Sequence, residues 1–147
     1  MYNKILVAID KSEHSTKAIA HAKSIADKFS AEVILYHSYQ VPADFTDQQI
    51  MYNLSSDYVV KLEVNLKQHY QKLLDTTKEE FASAGIKTST LLESGKVGAN
   101  IVNAAEKENV DLVIIGSRGL GTMGRMVMGS VSSYVLHHTK KPLLVIE

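Results

Sequence analysis

The chain has 147 residues, 45% of them hydrophobic and 22% charged, the composition of one globular domain with a packed core and not of a disordered or fibrous chain. Sixteen basic residues balance sixteen acidic ones, so the overall field gives no reason to expect nucleic acid or an anionic membrane as partner. With no cysteine, disulfides, thiol catalysis and cysteine-ligated zinc are excluded, and a cytoplasmic location is the expectation.

The first apolar run, residues 4–9, is too short for the hydrophobic region of a signal peptide, and no run approaches the roughly 20 apolar residues of a membrane span. It reads as a strand. Asp10 then opens a helical pattern in which Ala18, Ala22, Ile25 and Phe29 recur at spacings of three and four, with Glu13 placed as in a capping box. Residues 33–36 form a second strand ending in His37-Ser38. The polar stretch 40–57 is long for an ordinary connection and reads as a functional or mobile loop. Over 58–84, Val59, Leu62, Leu66, Tyr70, Leu73 and Phe81 mark one face of a long helix closed by Gly85.

Residues 86–92 alternate as in a strand with one partly exposed face, and 97–107 read as a third helix. The nearly unbroken apolar run 110–115 is of the kind buried on both faces of a parallel sheet. A fourth helix follows over 130–138, and Pro142 introduces a last strand, 143–146. Strand and helix alternate throughout, which predicts a single-domain α/β fold, a five-stranded parallel sheet with helices on both faces. Ligands of such folds bind beyond the carboxyl ends of the strands where strand order reverses. The candidate positions are Asp10, Ser38, Gly95 and Gly116 onward.

The segment after the buried strand carries the chemistry. Gly116-Ser117-Arg118-Gly119 is followed nine residues later by Gly129-Ser130. Gly116 and Gly119 are expected to turn with positive φ and to approach a ligand without a Cβ. Gly129 and Ser130 are expected at a helix N-terminus, where unpaired amides and the helix dipole attract anions, with Ser130 and Ser132 adding hydroxyl donors. Between Asp111 and Glu147 there is no acidic residue, while Arg118, Arg125, Lys140 and Lys141 fall there. A phosphate would be least repelled in that segment. Neither the P-loop pattern nor a dinucleotide fingerprint after the first strand is present; Gly119-x-Gly121-x-x-Gly124 fits the latter expression but follows a late strand and opens no helix.

Plainer readings stand beside these. Asp10 and Ser130 suit helix capping, Arg118 and Arg125 suit a solvated surface, and Met123, Met126 and Met128 suit adaptable packing. His137 and His138 project about 100° apart on a helix, and His14 and His21 lie two turns apart, so neither pair makes a metal site. No metal site made by the protein alone is expected; Mg²⁺ would arrive with nucleotide phosphates.

On these residues the sequence resembles the universal stress protein family, specifically its ATP-binding branch. The likeness runs through Asp10-Lys11-Ser12, His37-Ser38, the block 110–119, Gly129-Ser130-Val131-Ser132 and the closing 141–146. The resemblance implies that Ala8, Ile9 and Asp10 border the adenosine, with Asp10 near ribose and phosphates. Ser38 would meet the adenine edge through its main chain. Ile115 and Gly116 would contact adenine and ribose, Gly119 the phosphates, and Gly129, Ser130, Val131 and Ser132 the phosphate tail. Arg118 is included, although its residue type varies in the family. The segment 120–128 would be a lid, and the last strand would pair across a homodimer.

The leading expectation is therefore an ATP-binding module, a cytoplasmic homodimer that senses stress or energy state, with at most slow hydrolysis. No second carboxylate, lysine or histidine stands beside the glycine motif in the sequence, where phosphoryl transfer would want a metal ligand and a water-orienting base. The alternatives are an ATP-using enzyme of a related class, such as a pyrophosphatase or nucleotidyl transferase, and a structural dimerisation module. The short apolar terminal strand is an edge that needs covering, and pairing with its copy would cover it.

Overall fold

The computed structural model describes residues 1–40, 56–119 and 128–147. Five strands are present among them: β1 (Lys4–Ala8), β2 (Glu32–Tyr39), β3 (Thr88–Ser94), β4 (Leu112–Gly116) and β5 (Leu143–Ile146). All pair in parallel, in the order β3-β2-β1-β4-β5. Four helices connect them: α1 (Glu13–Phe29), α2 (Ser56–Ser83), α3 (Val97–Lys107) and α4 (Ser130–His138). The predicted α/β sheet is thus observed, and strand order reverses between β1 and β4.

The strands alternate side chains between two cores. Ile5, Val7, Val33, Leu35 and Ile114 enter one core with Ala18, Ala22 and Ala26 of α1 and with Leu74 and Phe81 of α2. Leu6, Ile34, Tyr36, Val113 and Ile115 enter the other with Ile101, Ala104 and Ala105 of α3 and Val135 of α4. Burial on both faces is why β1 and β4 read as unbroken apolar runs. The alanines of α1, spaced by four, form a narrow small-residue face that lets the helix lie close to the sheet.

Three helices end alike. Ser30, Gly85 and Asn109 take left-handed backbone at φ 55°, 74° and 49°. The next amide then reaches back five residues: Ala31 to Ala26, Ile86 to Phe81, Val110 to Ala105. Only Gly85 announced this in the sequence. The start of α1 also differs from expectation. The cap is Ser12, whose Oγ accepts the Ser15 N–H at 3.1 Å, while Asp10 Oδ1 accepts the Ser12 N–H at 2.7 Å. Asp10 thus shapes the approach to the helix and leaves its second carboxylate oxygen for other use.

Along the face read over 58–84, Val59, Leu62, Leu66, Tyr70 and Leu73 are half-buried and Phe81 is fully buried, with Leu74 and Thr77 buried beside them, while Tyr58, Val60 and Val64, off that face, are exposed. A helix of 28 residues is about 42 Å long at 1.5 Å per residue, whereas the seven- or eight-residue strands beneath it span about 25 Å. Its first half therefore overshoots the sheet. No helix among the described residues is long and apolar enough to cross a membrane.

Candidate functional site

A cavity of about 460 Å³ opens at the carboxyl end of the sheet, over the reversal between β1 and β4. Every residue that the family resemblance places against the nucleotide lines it, and of the candidate strand-end positions all but one do. Ala8, Ile9 and Asp10 come from the end of β1, Ser38 from β2, Ile115, Gly116, Arg118 and Gly119 from the end of β4, and Gly129, Ser130, Val131 and Ser132 from the start of α4. Gly95 does not. It takes φ 121° and donates its N–H to Tyr39 O at 2.9 Å, closing the turn after β3 outside the cavity.

The glycines act by their size and not by the expected positive φ. Among the described glycines only Gly85 and Gly95 have left-handed backbone. A Cβ on Gly116 would lie 2.8 Å from His14 Cβ and 3.2 Å from the carbonyl oxygen of Arg118; one on Gly119 would lie 2.9 Å from Asp10 Oδ2. The residues at these two positions must be small because α1 and the Asp10 turn press against the β4 loop.

The helix start is fastened to that loop. Ser117 donates its N–H to Ile146 O at 2.7 Å, and its own carbonyl accepts both the Gly129 N–H and the Ser132 hydroxyl at 2.7 Å. Two expectations change with this. The Gly129 amide and the Ser132 hydroxyl are engaged within the protein, so neither is a ready donor to phosphate. What remains is the N–H set of Ser130, Val131 and Ser132, the first turn of α4, with no partner among the described residues. Gly129 is the N-cap and offers no side chain to those amides.

The sequence reading missed several cavity residues because they are remote from the glycine motif. Lys11, His37, Tyr39, His69 and Tyr70 form the wall on the α1 and α2 side. The His37 ring lies 4.3 Å from that of Tyr70, and Tyr39 stacks on Tyr70 at 5.6 Å. His37 Nδ1 donates to Ile9 O at 2.6 Å. Burial lowers the His37 pKa, opposed by that hydrogen bond and by Asp10, and aided by His69. Lys11 Nζ lies 3.0 Å from His69 Nε2. His14 Nδ1 approaches Ser117 Oγ at 3.4 Å. Basic groups absent beside the motif in sequence are therefore beside it in space. Their signal was weak: single histidines on helices look like any surface histidine.

On the α3 side the wall is Tyr36, Val97 and Ile101, with Ile115 and Val131. Of the basic cluster expected from 112–146, Arg118 lines the cavity. Lys141 instead donates to Asn109 Oδ1 at 2.8 Å, before the start of β4 and thus at the opposite end of the sheet. Arg125 and the expected lid lie largely outside the described residues, as does most of the 40–57 loop. Asp10 is the one carboxylate among the described cavity residues. Among the described residues, an apolar slot, a row of amides without a partner and a single carboxylate suit a flat ring joined to an anionic tail.

The universal stress protein family matches the chain over residues 1–147. Universal stress protein YxiE of Bacillus subtilis (strain 168) is 31% identical over 148 residues, covering 99% of this chain and 99% of that one. Universal stress protein MJ0577 of Methanocaldococcus jannaschii is 28% identical over 156 residues, covering 100% of this chain and 96% of its own. The solved structure of MJ0577 has a TM-score of 0.85 at 29% identity over 99% of this chain and 96% of that one. A universal stress protein from Archaeoglobus fulgidus, solved in complex with dAMP, has a TM-score of 0.67 at 18% identity over 99% and 98% of the two chains, a likeness of fold.

Proposed function

The chain belongs to the universal stress protein family, and from that premise we propose that it binds ATP, as a cytoplasmic homodimer that responds to stress or energy state and hydrolyses the nucleotide slowly at most. The observation that carries this reading is the convergence of three unengaged amides, Ser130, Val131 and Ser132, with Gly119 and Asp10 on one cavity. An anion at that helix start would meet N–H groups already aimed outward and the positive end of the helix dipole. A fold neighbour holding dAMP is consistent with an adenine nucleotide here.

In this reading the base lies in the apolar slot against Ile115, Val97 and Ile101, bordered by Ala8, Ile9 and the main chain of Ser38. Ribose lies near Asp10 and Gly116. The phosphates run past Gly119 and Arg118 to the first turn of α4. Mg²⁺ carried by the phosphates would supply charge neutralisation, and Asp10 fits as its protein ligand because one carboxylate oxygen is not used in the α1 turn. The dimer would form along β5, the sheet edge, with β4 as its partner on one side.

Isothermal calorimetry with ATP, ADP and AMP tests the reading. Binding at or below millimolar concentration that weakens as phosphates are removed is expected. Absence of heat with all three at millimolar concentration would remove it. The Lys11 and His69 side chains of the cavity wall, with His14 packed against Gly116, favour one alternative, an ATP-using enzyme; steady turnover above about 1 s⁻¹ would select that instead.

A further inference from the structure

Among the described residues the sheet ends in β5 on one side and in β3 on the other. β3 is bonded to β2 alone, and none of its seven residues is buried, whereas β1, β2 and β4 are buried over most of their length. The direction of its backbone groups follows from the register. Val33 N–H donates to Lys87 O and Gly95 N–H to Tyr39 O, both at 2.9 Å, and residues 33–39 pair in order with residues 88–94. Along a strand the N–H and C=O of one residue point the same way, and the direction alternates from residue to residue. Lys87, Ser89, Leu91 and Glu93 therefore address β2, while Thr88, Thr90 and Leu92 address the free edge. Ser94 also points outward, but its carbonyl already accepts from Asn100 Nδ2 at 3.0 Å. No backbone group among the described residues meets Thr88, Thr90 or Leu92 from outside.

An edge of this length is ordinarily protected by proline, lysine or a bulge. The strand Thr88-Ser89-Thr90-Leu91-Leu92-Glu93-Ser94 has no proline and no lysine, and its register with β2 runs without a break. Charge lies at its two ends, Lys87 just before it and Glu93 near its finish, and the two specify a register. Where the strand meets a second copy of itself antiparallel about Thr90, Thr90 faces Thr90 and Thr88 faces Leu92 as hydrogen-bonded pairs, which uses the outward groups. Lys87 of each copy then stands directly opposite Glu93 of the other. Centring on Leu91 instead sets Lys87 against Gly95 and draws Ser94, with its engaged carbonyl, into the ladder; centring on Glu93 sets two carboxylates together. Lys87 is 85% exposed and bridges Glu32 Oε2 at 2.9 Å, yet Glu32 keeps Lys4 at 3.1 Å, so Lys87 can turn to the copy without leaving that carboxylate alone.

We propose that β3 is a self-association edge, on which a second copy of this chain pairs antiparallel, centred on Thr90 and held in register by Lys87 and Glu93. The dimer read at β5 uses the opposite edge, so the two contacts are independent. A chain pairing at both extends into open rows of copies whose size grows with concentration.

Sedimentation in a Val145→Pro background, where proline blocks the β5 edge, isolates the β3 contact. One strand per copy is a small interface, so this chain should be a monomer at about 1 μM and a dimer at about 1 mM. Adding Thr90→Pro, whose lost N–H points away from β2, should leave a folded monomer at both concentrations. Glu93→Lys and Lys87→Glu each set like charges opposite one another and should weaken the dimer by about fivefold or more, and the double exchange should restore it. Should Thr90→Pro not fold by circular dichroism, the charge exchange decides. A monomer at about 1 mM overturns the proposal and leaves the edge to a strand of another protein. A dimer that neither Thr90→Pro nor the single charge exchanges weaken overturns it as well. Failure of the β5 reading leaves these outcomes unchanged, because that edge is already blocked.

Discussion

Gly119 and Asp10, 109 positions apart in the chain, meet so closely that a Cβ on Gly119 would stand 2.9 Å from Asp10 Oδ2. The contact closes the cavity at the point where strand order reverses, joining the turn after β1 to the loop after β4. Gly119→Ala should displace the Asp10 carboxylate, the end of a short side chain, and weaken ATP by about tenfold or more while shifting Tm little. Gly116→Ala meets His14 and backbone atoms that cannot yield cheaply, so it should destabilise the protein by about 1–3 kcal/mol. Calorimetry and thermal melting on both variants separate the two effects; equal loss of stability in both would contradict the distinction.

Ser132 is the joint between α4 and the β4 loop. Its hydroxyl, buried, donates to Ser117 O at 2.7 Å and lies 3.1 Å from Gly129 O. Ser132→Ala should cost about 1 kcal/mol of stability, since Ser117 O keeps the Gly129 N–H as a second partner. ATP affinity should change little because the Ser132 amide stays in place. A large loss of affinity with unchanged melting would instead assign that hydroxyl to the ligand.

His37 should make stability depend on pH. Burial holds its folded-state pKa below the ordinary 6.5, so as pH falls through 6.5 the unfolded chain takes up a proton that the folded chain refuses. Stability is therefore lost in the window from 6.5 down to the lowered native value, and is fully present above 6.5. The urea midpoint of the unaltered protein should drop between pH 7.5 and pH 5.5 more than that of His37→Phe. Parallel pH profiles would show that His37 is not the group responsible.

Val145 tests the dimer. The carbonyls of Pro142, just before β5, and of Ile146 accept from Val113 and from Ser117, just after β4, and the parallel alternation then turns the Val145 N–H outward, to the free edge. Val145→Pro removes an outward donor and leaves the β4 ladder intact. Sedimentation at micromolar concentration should show a dimer for the unaltered chain and a folded monomer for the variant. A dimer that survives the substitution would place the interface elsewhere.

Asp111 ties the two central strands at their other end. Its Oδ2 accepts the N–H groups of Asn3 and Lys4 at 2.8 and 2.9 Å, and these bonds hold its carboxyl below the usual range. A depressed carboxylate contributes stability above its unfolded pKa that disappears as pH falls through the folded one. Asp111→Asn should remove part of the acid sensitivity below about pH 4, with an effect at neutral pH under about 1 kcal/mol because the group is only half-buried, near the surface. An acid unfolding curve identical to that of the unaltered chain would contradict this.

The alternation of apolar runs with 3.6-period segments was enough to fix the fold class, because a strand buried on both faces and a helix with one apolar stripe leave different spacings in the chain. The positions of Asp10, Ser38, Gly116 and Gly119 at strand ends were legible for the same reason: each closes or follows an apolar run whose direction the parallel sheet sets. Tertiary structure decided what those residues do. It showed that Gly116 and Gly119 are small because His14 and Asp10 press on them, that Ser12 and not Asp10 caps α1, and that the Ser132 hydroxyl serves the Ser117 carbonyl. It also brought His37, Tyr70 and Lys11 to the cavity and paired Ser38 with Asn100. Periodicity reports which side of an element is buried, a property of nearest neighbours along the chain. Contacts between residues 60 to 110 positions apart depend on strand order and helix placement, and no local spacing records them.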